Sequence, residues 1–283
     1  MRRSKAGNRS PNCGLPTADR RTIRKPLPHG IQPPLTEQKR DFPEFYITSP
    51  QPCPYLPGRR ERKVFTHLHE GKPPAVIDHL LRTGFRRSQN IAYTPCCDGC
   101  SACVSVRVLV DEFAPSRTMR RTLERNHDII ARRLPAEPSE EQYGLFRDYV
   151  DLRHSEGGMT DMSLLDYKLM VRDSLVDTEI TEYRRRLPGG LSSEFRKWPL
   201  AGVCLTDRLS DGLSLVYSFY DPGEAGRSLG THIILEQIEQ ARKLGLPFVY
   251  LGYWIKGSRK MTYKTRFQPQ EHLTQTGWIR VST

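Results

Sequence analysis

The 283-residue sequence contains no stretch approaching the ~18–20 consecutive apolar residues that a membrane-spanning helix requires. Its first residues lack the apolar core of a secretory signal, so the expectation is a cytoplasmic protein with no membrane partner. No Ser-His-Asp or Cys-His grouping for covalent catalysis is evident. Acidic side chains are in short supply: Lys+Arg number 44 against 32 Asp+Glu, a net charge of +12 in a chain that is only 27% charged. The excess is one of sign, not of density, and it favours nucleic acid, anionic membrane or acidic substrates as partners.

Residues 1–43 are basic and proline-rich with little apolar periodicity, and they read as a disordered arm. The arm either adds nonspecific attraction to phosphates or is a dispensable tail. The rest of the chain is long enough for a sizeable core and for two domains of ordinary size. The division expected is an N-terminal cysteine-bearing domain over 44–135 and a C-terminal domain over 136–283.

What the sequence does have is concentrated near its end. Tyr250-Leu-Gly-Tyr-Trp-Ile-Lys-Gly-Ser-Arg-Lys-Met-Thr-Tyr-Lys264 begins as a buried strand, Phe248 to Tyr253, and then interleaves Lys256, Arg259, Lys260, Lys264 and Arg266 with Trp254, Tyr263 and Phe267. Cations neutralise phosphates and aromatic faces accept stacked bases, a combination suited to single-stranded nucleic acid or its ends. A solvated basic loop beside a core strand is the other reading.

Apolar periodicity predicts a helix after Pro73-Pro74 with Ile77, Leu80, Leu81 and Phe85 on one face, and a strand at 104–110. A second helix is predicted over 116–134, its polar side a stripe of Arg117, Arg120, Arg121, Arg125, Arg132 and Arg133, either solvated or facing phosphate. A capping box at Ser139 opens a helix with Tyr143, Phe146, Tyr149 and Val150 inward, ending at Gly157-Gly158. A shorter helix over 163–175 is followed by strands at 179–183, 200–206 and 213–220, with turns at Pro188-Gly189-Gly190 and Ser210-Asp211-Gly212. A long helix, 229–244, and the strand from Phe248 complete an α+β layer.

Four of seven cysteines fall in Cys96-Cys-Asp-Gly-Cys100-Ser-Ala-Cys103, with Cys13, Cys53 and Cys204 elsewhere. In a cytoplasmic chain Cys97-x-x-Cys100-x-x-Cys103, with Cys53 from a second loop, is a candidate zinc or iron–sulfur ligand set; buried or redox-sensitive thiols are the alternative. Cys204 reads as core and Cys13 lies in the arm.

The order of three antiparallel strands, a helix and a fourth strand resembles the N-acetyltransferase superfamily. There the turn into the helix carries (Gln/Arg)-x-x-Gly-x-(Gly/Ala), which cradles a pyrophosphate. Arg227-Ser-Leu-Gly230-Thr-His232 keeps the first half and places His where the small residue belongs, an expected block to coenzyme A. Further motifs narrow the resemblance: Cys53-Pro-Tyr-Leu-Pro-Gly-Arg59, Arg86-Arg-Ser-Gln-Asn-Ile-Ala-Tyr93, Leu205-Thr-Asp-Arg-Leu-Ser-Asp-Gly-Leu213 and Tyr217-Ser-Phe-Tyr-Asp-Pro222, together with the 250–264 run. These are similar to the arginyl-tRNA-protein transferases of eukaryotes and closer to the bacterial aspartate/glutamate leucyltransferases, over about 45–278. Leu56 stands where the eukaryotic enzymes have a second cysteine, and Cys100 and Cys103 are added, so their ligand set does not carry over.

The resemblance implies a fold in which the cysteine-bearing domain packs on an N-acetyltransferase-like mixed-sheet domain. It also implies an aminoacyltransferase moving leucine from leucyl-tRNA to proteins beginning with Asp or Glu, marking them for degradation, with no cofactor required for transfer. An arginyl donor, a coenzyme-A acetyltransferase and a non-enzymatic RNA-binding protein are the competing readings. The tRNA end is expected along Arg227, Ser228, Gly230, Thr231 and Lys264 with Tyr253 or Trp254 as a stacking platform. Asp221, Lys260 and Tyr263 are the catalytic candidates. Arg59, Arg86, Arg87 and Ser88 are the candidates for the acidic N-terminus, because an arginine fork suits a carboxylate.

Overall fold

A computed structural model describes residues 43–70, 72–153, 159–187 and 194–281. The expected arm up to residue 42, the helix stop at 157–158 and the turn at 188–190 lie outside the described residues, as does Cys13.

The chain opens with short strands β1 (Tyr46–Ile47), β2 (Gln51–Pro52) and β3 (Arg60–Glu61), then β4 (Lys63–His67), helix α1 (Pro74–Arg82), β5 (Arg86–Ser88), β6 (Ile91–Pro95) and β7 (Cys103–Leu109). It continues through α2 (Arg117–Arg125), β8 (Ile129–Pro135), α3 (Glu140–Arg153), α4 (Leu164–Arg172), β9 (Asp177–Arg185), β10 (Leu200–Leu209) and β11 (Gly212–Tyr220). Helix α5 (Leu229–Lys243), β12 (Phe248–Ile255), β13 (Gln270–Thr274) and β14 (Gly277–Val281) complete it.

One sheet has the order β1-β4-β6-β5, and an eight-stranded sheet has the order β14-β13-β7-β12-β11-β10-β9-β8. Its β9, β10 and β11 are antiparallel neighbours, while β12 runs parallel to β11 because α5 carries the chain back across the sheet. The predicted α+β order is therefore present. Both β7 and β8, which precede residue 136, are members of the large sheet.

Successive residues of β10 face opposite layers. Val203 and Leu205 pack with Phe146, Val150, Tyr167 and Met170 of α3 and α4, whereas Cys204, fully buried as expected, packs with Leu229 and Ile233 of α5. The Ser139 capping box forms, with Ser139 Oγ accepting from Gln142 N and Gln142 Oε1 accepting from Ser139 N.

The helix predicted over 116–134 is corrected. It starts at the Ser116 cap but ends at Asn126, and Ile129–Pro135 becomes an edge strand paired along β9. Asn126 bonds the Thr122 and Arg227 carbonyls and stops the helix, and β-branched Ile129 and Ile130 then gain a strand partner that outweighs the helix propensity of the arginines. The six-arginine stripe does not exist: Arg132 stacks over Phe195 at 4.5 Å and Arg133 pairs with Glu179 at 3.3 Å.

The N-terminal sheet is fastened to the large one through a shared core in which Leu68, Ile77, Leu80, Leu81 and Ala92 meet Leu209 and Tyr250.

Candidate active site at the parted strands

The parallel strands β11 and β12 pair only at Gly212↔Phe248, Leu213↔Val249 and Ser214↔Tyr250, although β11 runs on to Tyr220 and β12 to Ile255. Register shifts sit just beyond the last pair on both strands, against β10 at Leu205/Thr206 and against β7 at Tyr250/Gly252. An extra residue bends a strand and strengthens its twist, so the two strands part and leave backbone groups without ladder partners.

Two cations fill that opening. Gly252 has φ +77, and a Cβ there would lie 2.9 Å from the Arg86 guanidinium carbon, so only glycine admits Arg86 to this place. Arg86 donates to the Leu215 carbonyl and, at 3.3 Å, to Ser214 Oγ, both on β11. On the other strand, Lys264 Nζ donates to the Tyr253 carbonyl at 2.7 Å. Lys264 is 6% exposed, and burial, then the charge of Arg86, bring its pKa down to about 7.

Tyrosines line the approach. The Lys264 ammonium lies 5.9 Å from the ring centre of Tyr263, which is 42% exposed. Tyr220 packs edge-on against Tyr149 at 5.0 Å, and Arg153 lies over it at 5.5 Å. A Cβ at Gly230 would come within 3.0 Å of the Tyr220 ring, so that ring lies directly on the first turn of α5. Tyr149 is close enough to Tyr217, Tyr220, Tyr263 and Arg153 to feel the charge of each; burial raises its pKa, and pushes that of Tyr217 to about 12. The sequence reading assigned Tyr149 only to the inner face of a helix and gave Tyr217, Tyr220 and Arg153 no role. The available signal was the choice of phenol-bearing residues at core-facing positions of α3 and β11.

The other expected residues are distributed as follows. Arg227 grips Asp128 through two bonds of 2.7 and 2.8 Å and Glu224 at 3.0 Å; the guanidinium holds the Asp128 carboxyl below its usual range. Ser228 takes a left-handed conformation and offers no side-chain cap to α5, while Thr231 N bonds the Ser228 carbonyl. His232 is buried against Tyr183, both ring nitrogens without a partner among the described residues, so its ring lies in the core and does not cover the turn as anticipated. Helical spacing with Leu229 and Ile233 carries it inward. Asp221 caps the following 3-10 turn by accepting from Gly223 N at 2.8 Å. Trp254 packs on His272 at 5.3 Å, the Tyr253 hydroxyl is directed at the carbonyls of Gly84 and Tyr93, and Lys260 is exposed on the 3-10 segment Arg259–Arg266.

Of the four residues expected at the acidic N-terminus, Arg87 is interior: it is 5% exposed and clamps Asp207, itself fully buried, at 2.7 and 2.8 Å. Arg86 fills the strand opening, Ser88 is exposed at the end of β5, and Arg59 is exposed. Arg59 lines a cleft of about 750 Å³ with Arg60, Arg62, Pro50, Asp98, Gly99 and Cys100.

Cys53, Cys97, Cys100 and Cys103 converge on an adjoining cleft together with Tyr55, Tyr93 and Tyr253. Burial, then the neighbouring thiols, push Cys103 to about 12, and Arg62 N donates to Cys97 Sγ at 3.4 Å. Among the described residues no three His, Cys, Asp or Glu groups stand ready to hold an ion; the thiols share a cleft without forming a closed cage.

Residues 51–121 match the N-terminal family model of arginine-tRNA-protein transferase and residues 141–274 its C-terminal model. The aspartate/glutamate leucyltransferase of Sinorhizobium medicae is 57% identical over 248 residues, 88% of this chain and 96% of that one. That of Nitrobacter hamburgensis is 59% identical over 247 residues, 87% and 95%. The chain belongs to the aspartate/glutamate leucyltransferase family. Among solved structures, FemX aligns over 71% of this chain and 65% of its own with a TM-score of 0.43 and 10% identity. The family match spans the opening from both sides, Arg86 and the four cysteines in its first part and Tyr149, Tyr220 and Lys264 in its second.

Proposed function

We infer that this protein is an aminoacyl-tRNA-protein transferase that moves leucine from leucyl-tRNA to the α-amine of proteins beginning with Asp or Glu, and so marks them for degradation. Identity of 57–59% to aspartate/glutamate leucyltransferases along nearly their whole length carries the reading. The geometry fits the chemistry. The donor ester is already activated, and the acceptor amine, with a reference pKa of ~7.7–8.0, is partly neutral at physiological pH. The protein's main task is to hold two substrates in attack geometry, worth up to about 7–11 kcal/mol in favourable cases.

The uncapped first turn of α5, at Leu229–Thr231, presents a positive helix end for a terminal phosphate, and Tyr220 and Tyr263 beside it offer faces for the last base. Lys256, Arg259 and Lys260, all exposed, suit the phosphates upstream. Arg59, with Arg60 and Arg62, suits the acidic acceptor side chain. Arg87 and Asp221 have structural duties and are not assigned to substrates.

The four converging thiols are the right donors for zinc or an iron–sulfur cluster, which would clamp the β2–β3 hairpin to the loop before β7. Neither is required for transfer. Metal analysis of anaerobically purified protein that finds neither element removes this part of the proposal.

The deciding assay mixes the protein with labelled leucyl-tRNA or arginyl-tRNA and a peptide beginning with Asp. Leucine transfer is expected. Preferential arginine transfer would reassign the donor, and tRNA binding without transfer would leave only an RNA-binding module.

A further inference from the structure

Lys264 differs from every other cation of its segment. Lys256, Arg259, Lys260 and Arg266 are exposed, whereas Lys264 turns inward and is almost fully buried. Among the described residues no carboxylate pairs with it, and Nζ has one recorded acceptor, the Tyr253 carbonyl. An ammonium carries three protons to place; a neutral amine can give one N–H to that carbonyl and keep a free lone pair. Burying the charged form here would be costly.

Its position matters as much as its burial. The Tyr253 carbonyl lies beyond the last β11–β12 pair, at Tyr250, so Lys264 stands on one lip of the opening while Arg86 occupies the other. The charged and titratable groups around it are Arg86 from β5 and Tyr263 on its own segment. Arg86 is a positive charge that disfavours a proton on the neighbouring amine, and Tyr263 lies near Tyr220, whose ring covers the first turn of α5.

We propose that Lys264 is the proton acceptor of the transfer reaction, a role that rests on the reading of this opening as the aminoacyl-transfer site. The acceptor's α-nitrogen attacks the ester carbonyl carbon, the C–N bond forms and the carbonyl-carbon bond to the ribose oxygen breaks. The proton released by the attacking nitrogen passes to Lys264 Nζ and from there to the departing ribose oxygen. Nothing is oxidised or reduced, and the lysine ends as it began. A pKa of about 7 keeps a large fraction of the amine neutral at physiological pH and the conjugate acid strong enough to return the proton.

The test measures single-turnover leucine transfer by the full-length protein to peptides beginning with Asp, alongside leucyl-tRNA binding. Lys264→Arg preserves a donor to the Tyr253 carbonyl but cannot accept a proton at neutral pH; the expected loss is roughly 10²–10⁴-fold in rate with tRNA binding retained. Lys264→Ala should regain rate when small primary amines are added, in proportion to their neutral form. The wild-type rate should show an inflection near pH 7 that stays in place when the acceptor α-amine pKa is varied, and that is absent from Lys264→Arg. Transfer by Lys264→Arg at the wild-type rate and profile would overturn the proposal. So would a loss confined to leucyl-tRNA affinity, which would make Lys264 a phosphate contact. A wild-type protein that does not transfer leucine at all would refute the parent reading instead. Should Lys264→Ala fail to fold, the melting curve and rate of Lys264→Arg still decide.

Discussion

Arg87→Ala separates a structural arginine from a substrate-binding one. In the native protein the guanidinium meets both Asp207 oxygens, at 2.7 and 2.8 Å, with side-chain exposures of 1% and 0%. Removing it leaves a buried carboxylate whose remaining side-chain partner is Thr178 Oγ1, at 2.7 Å, and strips the Gln89 carbonyl of a donor. Breaking a pair of this kind costs about 3–5 kcal/mol, because the surviving charge is uncompensated. At roughly 2–4 °C of melting temperature per kcal/mol for chains of 150–250 residues, that is a drop of roughly 6–20 °C. The control is Arg87→Met combined with Asp207→Leu: replacing both partners with apolar groups should recover most of the loss. Thermal and urea unfolding read the stabilities, and transfer to acidic peptides and to a surrogate amine without the carboxylate reads specificity. An Arg87→Ala protein that melts within about 2 °C of wild type, yet loses acidic acceptors selectively, would refute the structural assignment.

Burial and the nearby Arg227 charge, opposed by Asp128, lower the His232 pKa from 6.5 to about 4. Below pH 6.5 the unfolded chain takes up a proton that the folded chain refuses, so stability present above that pH should fall by on the order of 3 kcal/mol by pH 4 and then level off; unfolding midpoints across this window should flatten in His232→Phe. Gly252→Ala forces a left-handed alanine against Arg86 and should cost about 1–3 kcal/mol while displacing Arg86 from the Leu215 carbonyl; an unchanged melting curve and unchanged transfer would contradict the packing. Residues 136–283 alone lack β7, which lies between β12 and β13, and should show no cooperative melt; a fragment that unfolds cooperatively and binds leucyl-tRNA would show that the C-terminal part is self-sufficient.

Elements whose side chains pattern against one layer were legible in the sequence. The Ser139 box and the turn at Ser210-Asp211 carry their own local signals, and β9 to β12 follow as expected. The helix over 116–134 failed because its second half is decided by a partner strand some 50 residues later, which no local window contains. The site divided along the same line. Cys53, Cys97, Cys100 and Cys103, grouped in sequence as candidate ligands, line one cleft. The engagements of Arg87 with Asp207 and of Arg227 with Asp128 were not legible, since residue type says an arginine wants a carboxylate but not whether the protein supplies it.

The opening itself could not be read from any one segment. β12 pairs with β7 from Phe248 to Ile255 but with β11 at three positions only, so the strand that draws β12 away comes from the N-terminal part of the chain. The same part supplies Arg86, which fills the space the glycine at 252 leaves, and Gly84 and Tyr93, whose carbonyls anchor the Tyr253 hydroxyl. Lys264 is buried with its Nζ on the Tyr253 carbonyl, beyond the last β11–β12 pair. The basic run, which in sequence suited either phosphate or solvent, thus divides by depth: its exposed cations face solvent, and its inward lysine is buried beside Arg86. On the proposed reading, one short segment serves binding and chemistry because the N-terminal strands position β12, whose Tyr253 carbonyl holds the inward lysine.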